Sequence, residues 1–305
     1  MHRLVADGHR VDRLATEADP GFVSNLSRRI ADRRPGVVVA AGGDGTVRDV
    51  VEALLAQAPS SRPALALVPM GTANNAARAI DPGRMPRRPA EHAERLSRIL
   101  SGGAPRQVDA GRANGRAFLG SVAIGMDADI LAWRNRARPR VPSFVGGYPL
   151  YLASCAVNAL RDHGGSVRIG FDDDAAPAAG QPPDAPPRAR QAGTRAVNVL
   201  VTNTALYAGE FRFAGGCRHD DGRLDVVTNP SMGDYLGRYA AAWPRHVRAS
   251  RGLAVRDDAG LLSAARLTMR WERPVAWQLD GEEMDAADRF EIEVLPAALR
   301  VLVAG

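Results

Sequence analysis

The chain lacks lysine. All forty of its basic residues are arginines, set against 34 acidic ones for a formal net charge of +6. Without lysine there is no Schiff-base amine, and no phosphate loop of the GKS/GKT type, which needs a lysine on the phosphates. Cysteine is nearly as scarce, since only Cys155 and Cys217 are present, far apart and in no CxxC pair. A disulfide framework is therefore not expected. Both cysteines read as small buried hydrophobes, and a reducing cytoplasm is the expected compartment. Long apolar runs are missing too. The longest strongly apolar helical stretch, Leu150 to Leu160, falls short of the roughly 20 residues that a bilayer crossing needs. The opening Met1-His2-Arg3 carries no apolar signal-peptide core, so a soluble chain is expected.

The rest is ordinary globular composition, 45% hydrophobic and 24% charged, and 305 residues suggest about two domains. Phe22, Leu26 and Ile30 recur at four-residue spacing and predict an amphipathic helix over 22–34, which Pro35-Gly36 stops. Val37 to Ala41 is a short continuous apolar run, as in a parallel strand buried on both faces. Gly42-Gly43-Asp44-Gly45-Thr46 follows, and then Val47, Val50, Val51, Leu54 and Leu55 at helical spacing. A second buried run, Ala64 to Val68, ends at Pro69-Met70-Gly71-Thr72, with a helix expected from about Asn74. This alternation predicts an α/β domain with parallel strands, placed at 1–108.

Beyond residue 108 short β-like runs take over, at 117–124, 166–171, 197–202, 224–227, 265–271, 275–279, 290–295 and 299–303. Turn residues between many of them predict a mainly antiparallel domain over 109–305, interrupted by helical stretches near 148–161 and 233–250. Residues 172–193 hold five prolines and no large apolar side chain, and read as a mobile insertion between strands.

Three motifs carry chemistry. Glycines at the strand-to-helix turn Gly42–Thr46 let backbone N–H groups approach a phosphate, and the helix amino terminus favours an anion. Asp44 repels phosphate unless Mg2+ or an ordered water lies between them. Pro69 to Asn75 forms a second such loop, and two loops on neighbouring parallel strands converge at one sheet edge. Helix capping by Thr72 or Asn74 is the plainer reading of that loop. Near the carboxyl terminus, Gln278-Leu279-Asp280-Gly281-Glu282 reads first as a hairpin turn. Its carboxylates at i and i+2 also suit a general base for a substrate hydroxyl.

These three motifs resemble the bacterial diacylglycerol-kinase-type lipid kinases, a family related to sphingosine kinases and more distantly to NAD kinases. Thr16, Asp109-Ala110-Gly111, Gly125-Met126-Asp127-Ala128, Asp221 to Val226 and the closing Val294-Leu295-Pro296 extend the resemblance over nearly the whole chain. It implies a Rossmann-like α/β domain of the NAD-kinase type followed by a mainly antiparallel β-sandwich. ATP phosphates would be held by Gly42, Gly43, Asp44, Gly45, Thr46, Val47 and Arg48, with Gly71, Thr72, Asn74 and Thr16 completing the nucleotide site. A structural Mg2+ would lie at Arg218, Asp221 and Arg223, the arginines serving through backbone carbonyls because guanidinium accepts nothing. Glu282 would be the general base, with Asp280 beside it and Asp44 as the third catalytic carboxylate. Two departures stand out. The family opens with a strand and an Asn-Pro glycine loop before the point where this sequence starts, and its second loop ends in Asn-Asp where this one has Asn74-Asn75.

The leading expectation is an ATP-dependent lipid kinase acting on a diacylglycerol-like alcohol. The alternative is a weakly active or inactive lipid- or nucleotide-binding relative. An NAD kinase is disfavoured by the β-rich second half and the Asp280-Gly281-Glu282 turn. The spread of the arginines argues against nucleic acid as a partner. A peripheral membrane surface, at the inner face of the membrane, and a homodimer are left open. Residues 234–251 set Tyr235, Leu236, Tyr239 and Trp243 beside Arg238, Arg245, Arg248 and Arg251, as an interfacial segment does. A helix packed on the β-domain is the plainer reading, and Pro244 limits any continuous helix there.

Overall fold

The computed structural model describes residues 8–16, 21–71, 73–83, 85–86, 88–141, 148–159, 163–172, 190–207, 217–238 and 262–304, together with Val5, Asp19 and Arg161. Helix α1 (Phe22–Arg33) buries Phe22 and Ile30 and ends at Arg34, whose left-handed backbone (φ 45°) returns its N–H to the Ile30 carbonyl. Strand β1 (Val37–Gly42) leads into α2 (Asp44–Leu55), and β2 (Ala64–Pro69), buried at all six positions, leads into α3 (Asn75–Ile80). β1 and β2 pair in parallel from Val37 beside Ala64 to Gly42 beside Pro69. The apolar runs form parallel strands because helices cover them, and the two glycine turns leave the same edge.

Helix α4 (Pro89–Gly102) precedes β3 (Ala104–Ala113), β4 (Arg116–Phe118), β5 (Ser121–Gly125) and α5 (Met126–Ala137). Next come α6 (Tyr148–Ala159), β6 (Gly165–Asp172), β7 (Arg190–Ala196), β8 (Asn198–Thr202), β9 (Leu224–Asn229) and a short helix α7 over 232–238. β10 (Leu262–Ala264), β11 (Arg266–Leu279) and β12 (Glu282–Val303) close the chain. Apart from β1 with β2 and the end of β12 with β2, the pairings are antiparallel, in one mixed sheet ordered β1-β2-β12-β11-β5-β8-β9-β10. Strands β3 to β12 fold over one core containing Phe118, Ile169, Leu224, Trp271, Trp277 and Phe290. This is the α/β plus antiparallel β architecture expected from the sequence.

Several local expectations are corrected. The run 117–124 is two strands, divided at Leu119-Gly120 where both amides turn to the Asp280 carboxylate. The runs 265–271 and 275–279 are the single strand β11, and 290–295 and 299–303 both lie in β12. Bulges absorb the irregularities that look like breaks in the sequence, between Arg270 and Val275 and between Leu295 and Leu299. The proline-rich insertion is shorter at both ends, because Asp172 belongs to β6 and Arg190 to Gly193 pair with it in β7; residues 173–189 lie outside the described residues.

The division expected at residue 108 falls inside β3, which pairs with β12 along most of its length. β12 then runs back beside β2, and Leu299, Val301 and Val303 enter the core shared with Ile30, Val51, Leu54 and Leu65. The carboxyl-terminal strand thus joins the two halves. One end of it lies in the first core and the other starts at the Asp280-Gly281 turn.

Candidate active site

The two glycine turns press against each other. A Cβ on Gly71 would lie 2.5 Å from the Gly43 Cα, so the backbones meet with no room for a side chain. Met70 N–H donates to the Gly42 carbonyl (2.9 Å), and Asn74 closes its own loop by accepting from Gly71 N–H (2.8 Å) and donating to Gly71 O (2.7 Å). Asn74 takes a left-handed conformation (φ 50°) to do so, one that asparagine tolerates. Gly42 is tight for a separate reason: Thr46, one turn into α2, packs on its Cα. The first amides of α2 have no intrahelical acceptor and define an anion site at this edge.

Asp44 opens α2 and turns toward α3, accepting weakly from the Ala76 amide (3.4 Å). Burial and the neighbouring Asp280 charge push its carboxyl up to about 6, against the opposing backbone hydrogen bonds at Asn74, Asn75 and Ala76. Asp280 reaches the same place from the far end of the chain. It sits at φ 47° with Gly281 at φ 87°, two consecutive left-handed residues in a tight hairpin turn, as the sequence suggested. Its carboxylate accepts from the amides of Leu119 (2.8 Å), Gly120 (2.9 Å) and Ser121 (2.8 Å). Burial raises its carboxyl, and those amides and Arg48 pull it back. With its oxygens occupied by three amides, Asp280 fixes the hairpin and is poorly placed to take a proton.

Glu282 lies two residues on, with 43% of its side chain exposed, and its Oε2 pairs with Arg48 Nη2 at 2.6 Å. Its Oε1 rests against Gly45, where any Cβ would collide with it. Arg48 is itself buried and also pairs with Asp49 (2.8 Å). Val47 is buried in the first core. Two of the residues expected on phosphate, Val47 and Arg48, thus serve the core and Glu282. Asp44 and Arg48 lie four apart on one helix, a spacing that places both on one face. The Arg48–Glu282 contact itself depends on tertiary placement, and no sequence pattern signals it.

Thr16 is exposed in an irregular segment that Asp12 ties to Arg29 of α1 (2.9 Å), and no hydrogen bond joins it to the glycine turns among the described residues. Thr72 lies outside the described residues, as does 239–251 of the interfacial segment. Of that segment, Tyr235 is buried and donates to Asp127 (2.6 Å), while Leu236 is exposed.

The residues expected around a structural Mg2+ form a loop that side-chain and backbone hydrogen bonds fasten. Arg218 Nε donates to Asp220 (2.9 Å), and Arg223 donates to the Ser263 hydroxyl (2.9 Å) and carbonyl (2.6 Å). Asp221 accepts from its own loop at Arg223 N–H (3.0 Å). Asp109, only 2% exposed, accepts from Gly222 N–H (2.7 Å) and Ala297 N–H (2.7 Å), and its own N–H donates to the His219 carbonyl (2.7 Å). Among the described residues no group of three His, Cys, Asp or Glu side chains is arranged to hold a metal. The donor set implied by the resemblance is of another kind, the backbone carbonyls of Arg218 and Arg223 with the Asp221 carboxylate, and the guanidinium contacts leave those carbonyls aside. A nucleotide-bound Mg2+ is a different matter, because it asks for one or two carboxylates beside phosphate oxygens. Asp44, next to the anion site, fits that need.

Two abutting glycine turns, the first turn of α2 and three carboxylates thus converge at one edge of the sheet. Residues 2–113 match the family model of the diacylglycerol kinase catalytic domain, the family the motifs resemble. A diacylglycerol kinase of Staphylococcus saprophyticus is 28% identical over 172 residues, 56% of this chain and 52% of its own. The match thus spans about half the length of that relative. A lipid kinase YegS-like protein of Pseudomonas fluorescens is 28% identical over 278 residues, 87% of this chain and 76% of its own. The crystal structure of a diacylglycerol kinase from Bacillus anthracis str. Sterne superposes with a TM-score of 0.65 at 21% identity, over 94% of this chain and 83% of that one, and so shares the fold.

Proposed function

We propose that the chain is an ATP-dependent lipid kinase that transfers the γ-phosphoryl group of ATP to the hydroxyl of a diacylglycerol-like lipid alcohol. The observation that carries this reading is the convergence of Asp44, Asp280 and Glu282 on the edge where the two glycine turns meet. The first amides of α2 receive the phosphates, and Gly43 and Gly71 let the two turns close on each other beside them. Asp44 would hold the Mg2+ that accompanies ATP, which would neutralise phosphate charge. Asp280 positions the hairpin, and Glu282 accepts the acceptor hydroxyl's proton. The acceptor oxygen then bonds to the γ-phosphorus as the bond to the β-phosphate oxygen breaks, leaving ADP and a phosphorylated lipid. Phosphoryl transfer depends on positioning and charge neutralisation, so the absence of lysine is no obstacle.

A second reading, a nucleotide- and lipid-binding relative without turnover, is favoured by the ion pair that occupies Glu282 and by Asn75 in place of an aspartate. Incubation with radiolabelled ATP, Mg2+ and a panel of lipid alcohols separates the two. A labelled lipid that disappears with Glu282→Gln supports the kinase. ATP binding without product across the panel supports the inactive relative.

A further inference from the structure

Helix α6 (Tyr148–Ala159) contains no charged residue. One side holds it to the protein, with Leu150, Ser154 and Asn158 buried and Tyr151 and Cys155 packed on the core beneath α5. On the other side Pro149, Leu152, Ala153 and Ala156 are exposed, Leu152 by 50%. The spacing i, i+3, i+4, i+7 makes these one continuous stripe. α6 packs against α5 (Met126–Ala137), whose carboxyl end continues through a single 3-10 turn, Arg138–Arg140. Arg136, Arg138 and Arg140 are all exposed there, and none is in an ion pair among the described residues. Between Asp129 and Asp162 the sequence holds five arginines and no acidic residue.

We propose that the stripe on α6 and the arginines at the end of α5 together form a docking surface for an anionic lipid bilayer. An uncharged helical face beside a cluster of unpaired cations is what an interfacial element needs, because apolar groups enter the headgroup boundary while arginines meet anionic heads. α5 also contacts the strand that carries Glu282, through Asn135, which donates to Glu283 (2.7 Å). The surface differs from the 234–251 segment singled out in the sequence, and bilayer binding does not require the transfer reaction.

The test is sedimentation of the full chain, without nucleotide, with vesicles of phosphatidylglycerol and of phosphatidylcholine. The wild type is expected to partition at least about tenfold better onto phosphatidylglycerol, with the preference fading at high salt. Leu152→Glu, and separately the combined Arg136→Ala, Arg138→Ala and Arg140→Ala, should each lower that binding about tenfold. Both should leave the thermal midpoint unchanged, along with any phosphorylation of a dispersed short-chain acceptor. Equal binding to both vesicles, no binding, or binding untouched by the variants overturns the proposal. A dimer that Leu152→Glu dissociates, with no vesicle binding, also overturns it and makes the stripe a contact between copies. Because the readout needs no ATP, a failed kinase assay leaves it standing or falling on its own.

Discussion

Arg48 Nη2 and Glu282 Oε2, from opposite ends of the chain, lie 2.6 Å apart, and the same guanidinium holds Asp49 at 2.8 Å. The buried arginine sets where the Glu282 carboxylate points, while the exposed part of that carboxylate faces the glycine edge. Glu282→Gln keeps the shape and removes the proton acceptor, so turnover should fall roughly 10²–10⁴-fold with little change in ATP affinity. Single-turnover rates and equilibrium nucleotide binding on the same preparations check this. A fall in binding at unchanged rate per bound ATP would make Glu282 a nucleotide ligand.

Asp44 imposes a pH signature on stability. Its folded carboxyl is pushed up to about 6, above the ordinary value of 3.8. The folded state therefore holds a proton that the unfolded chain has already lost between about pH 4 and 6. Stability falls as pH rises through that window, and the cost is complete above pH 6. Asp44→Asn has no such cost and should exceed the wild type by about 1–3 kcal/mol at pH 7, with the gap closing toward pH 4. Denaturant unfolding at several pH values measures it. The same variant, like Asp44→Ala, should lose turnover, because the ligand for the nucleotide's Mg2+ is gone.

Two glycine substitutions should fail in different ways. At Gly71 an added Cβ meets the Gly43 backbone at 2.5 Å, and neither turn can yield without parting β1 from β2 at their ends. Gly71→Ala should cost about 1–3 kcal/mol of stability, as overpacking does, and nucleotide binding with it. At Gly45 the obstacle is the Glu282 carboxylate, the end of a flexible side chain. Gly45→Ala should leave the thermal midpoint near wild type, because alanine suits the first turn of α2, yet abolish turnover by displacing Glu282. Melting curves and rates on the two variants test the contrast.

How far the sequence could be read follows from how local each feature is. β2 was legible because a strand buried on both faces is a continuous apolar run; β1 reads the same way although, at the end of the sheet, it buries only Ala40, and the glycine turns after both announce the sheet edge. The Asp280-Gly281 hairpin was legible because that dipeptide suits two left-handed residues in succession. β3 was not legible, since Ala104 to Gln107 are exposed and Gly111 contributes only the space that Phe118 fills. β11 and β12 looked broken at Glu272-Arg273-Pro274 and at Pro296-Ala297, where bulges carry the chain across the interruption. Partners such as Arg48 with Glu282, or Asp109 with Gly222 and Ala297, depend on tertiary placement. No periodicity encodes them.

Asp109 is the clearest such case, and it separates two roles for Mg2+. Its carboxylate ties the 217–223 loop to the β12 bulge by accepting from Gly222 N–H and Ala297 N–H, both at 2.7 Å. Gly222 sits at φ 71° and Ala297 at φ 47°, so both turns depend on being held. Asp109→Ala leaves two part-buried amides without their acceptor and should cost about 1–3 kcal/mol, because water can reach them in part. If these hydrogen bonds suffice to fasten the loop, a chelator leaves the thermal midpoint of the wild type unchanged. The transfer reaction should still stop, because the nucleotide keeps its own need for Mg2+. Thermal unfolding and turnover, each with and without a chelator, check both halves. A midpoint that falls on chelation and recovers with added Mg2+ would place a structural ion in the 218–223 loop and make Asp109 its support.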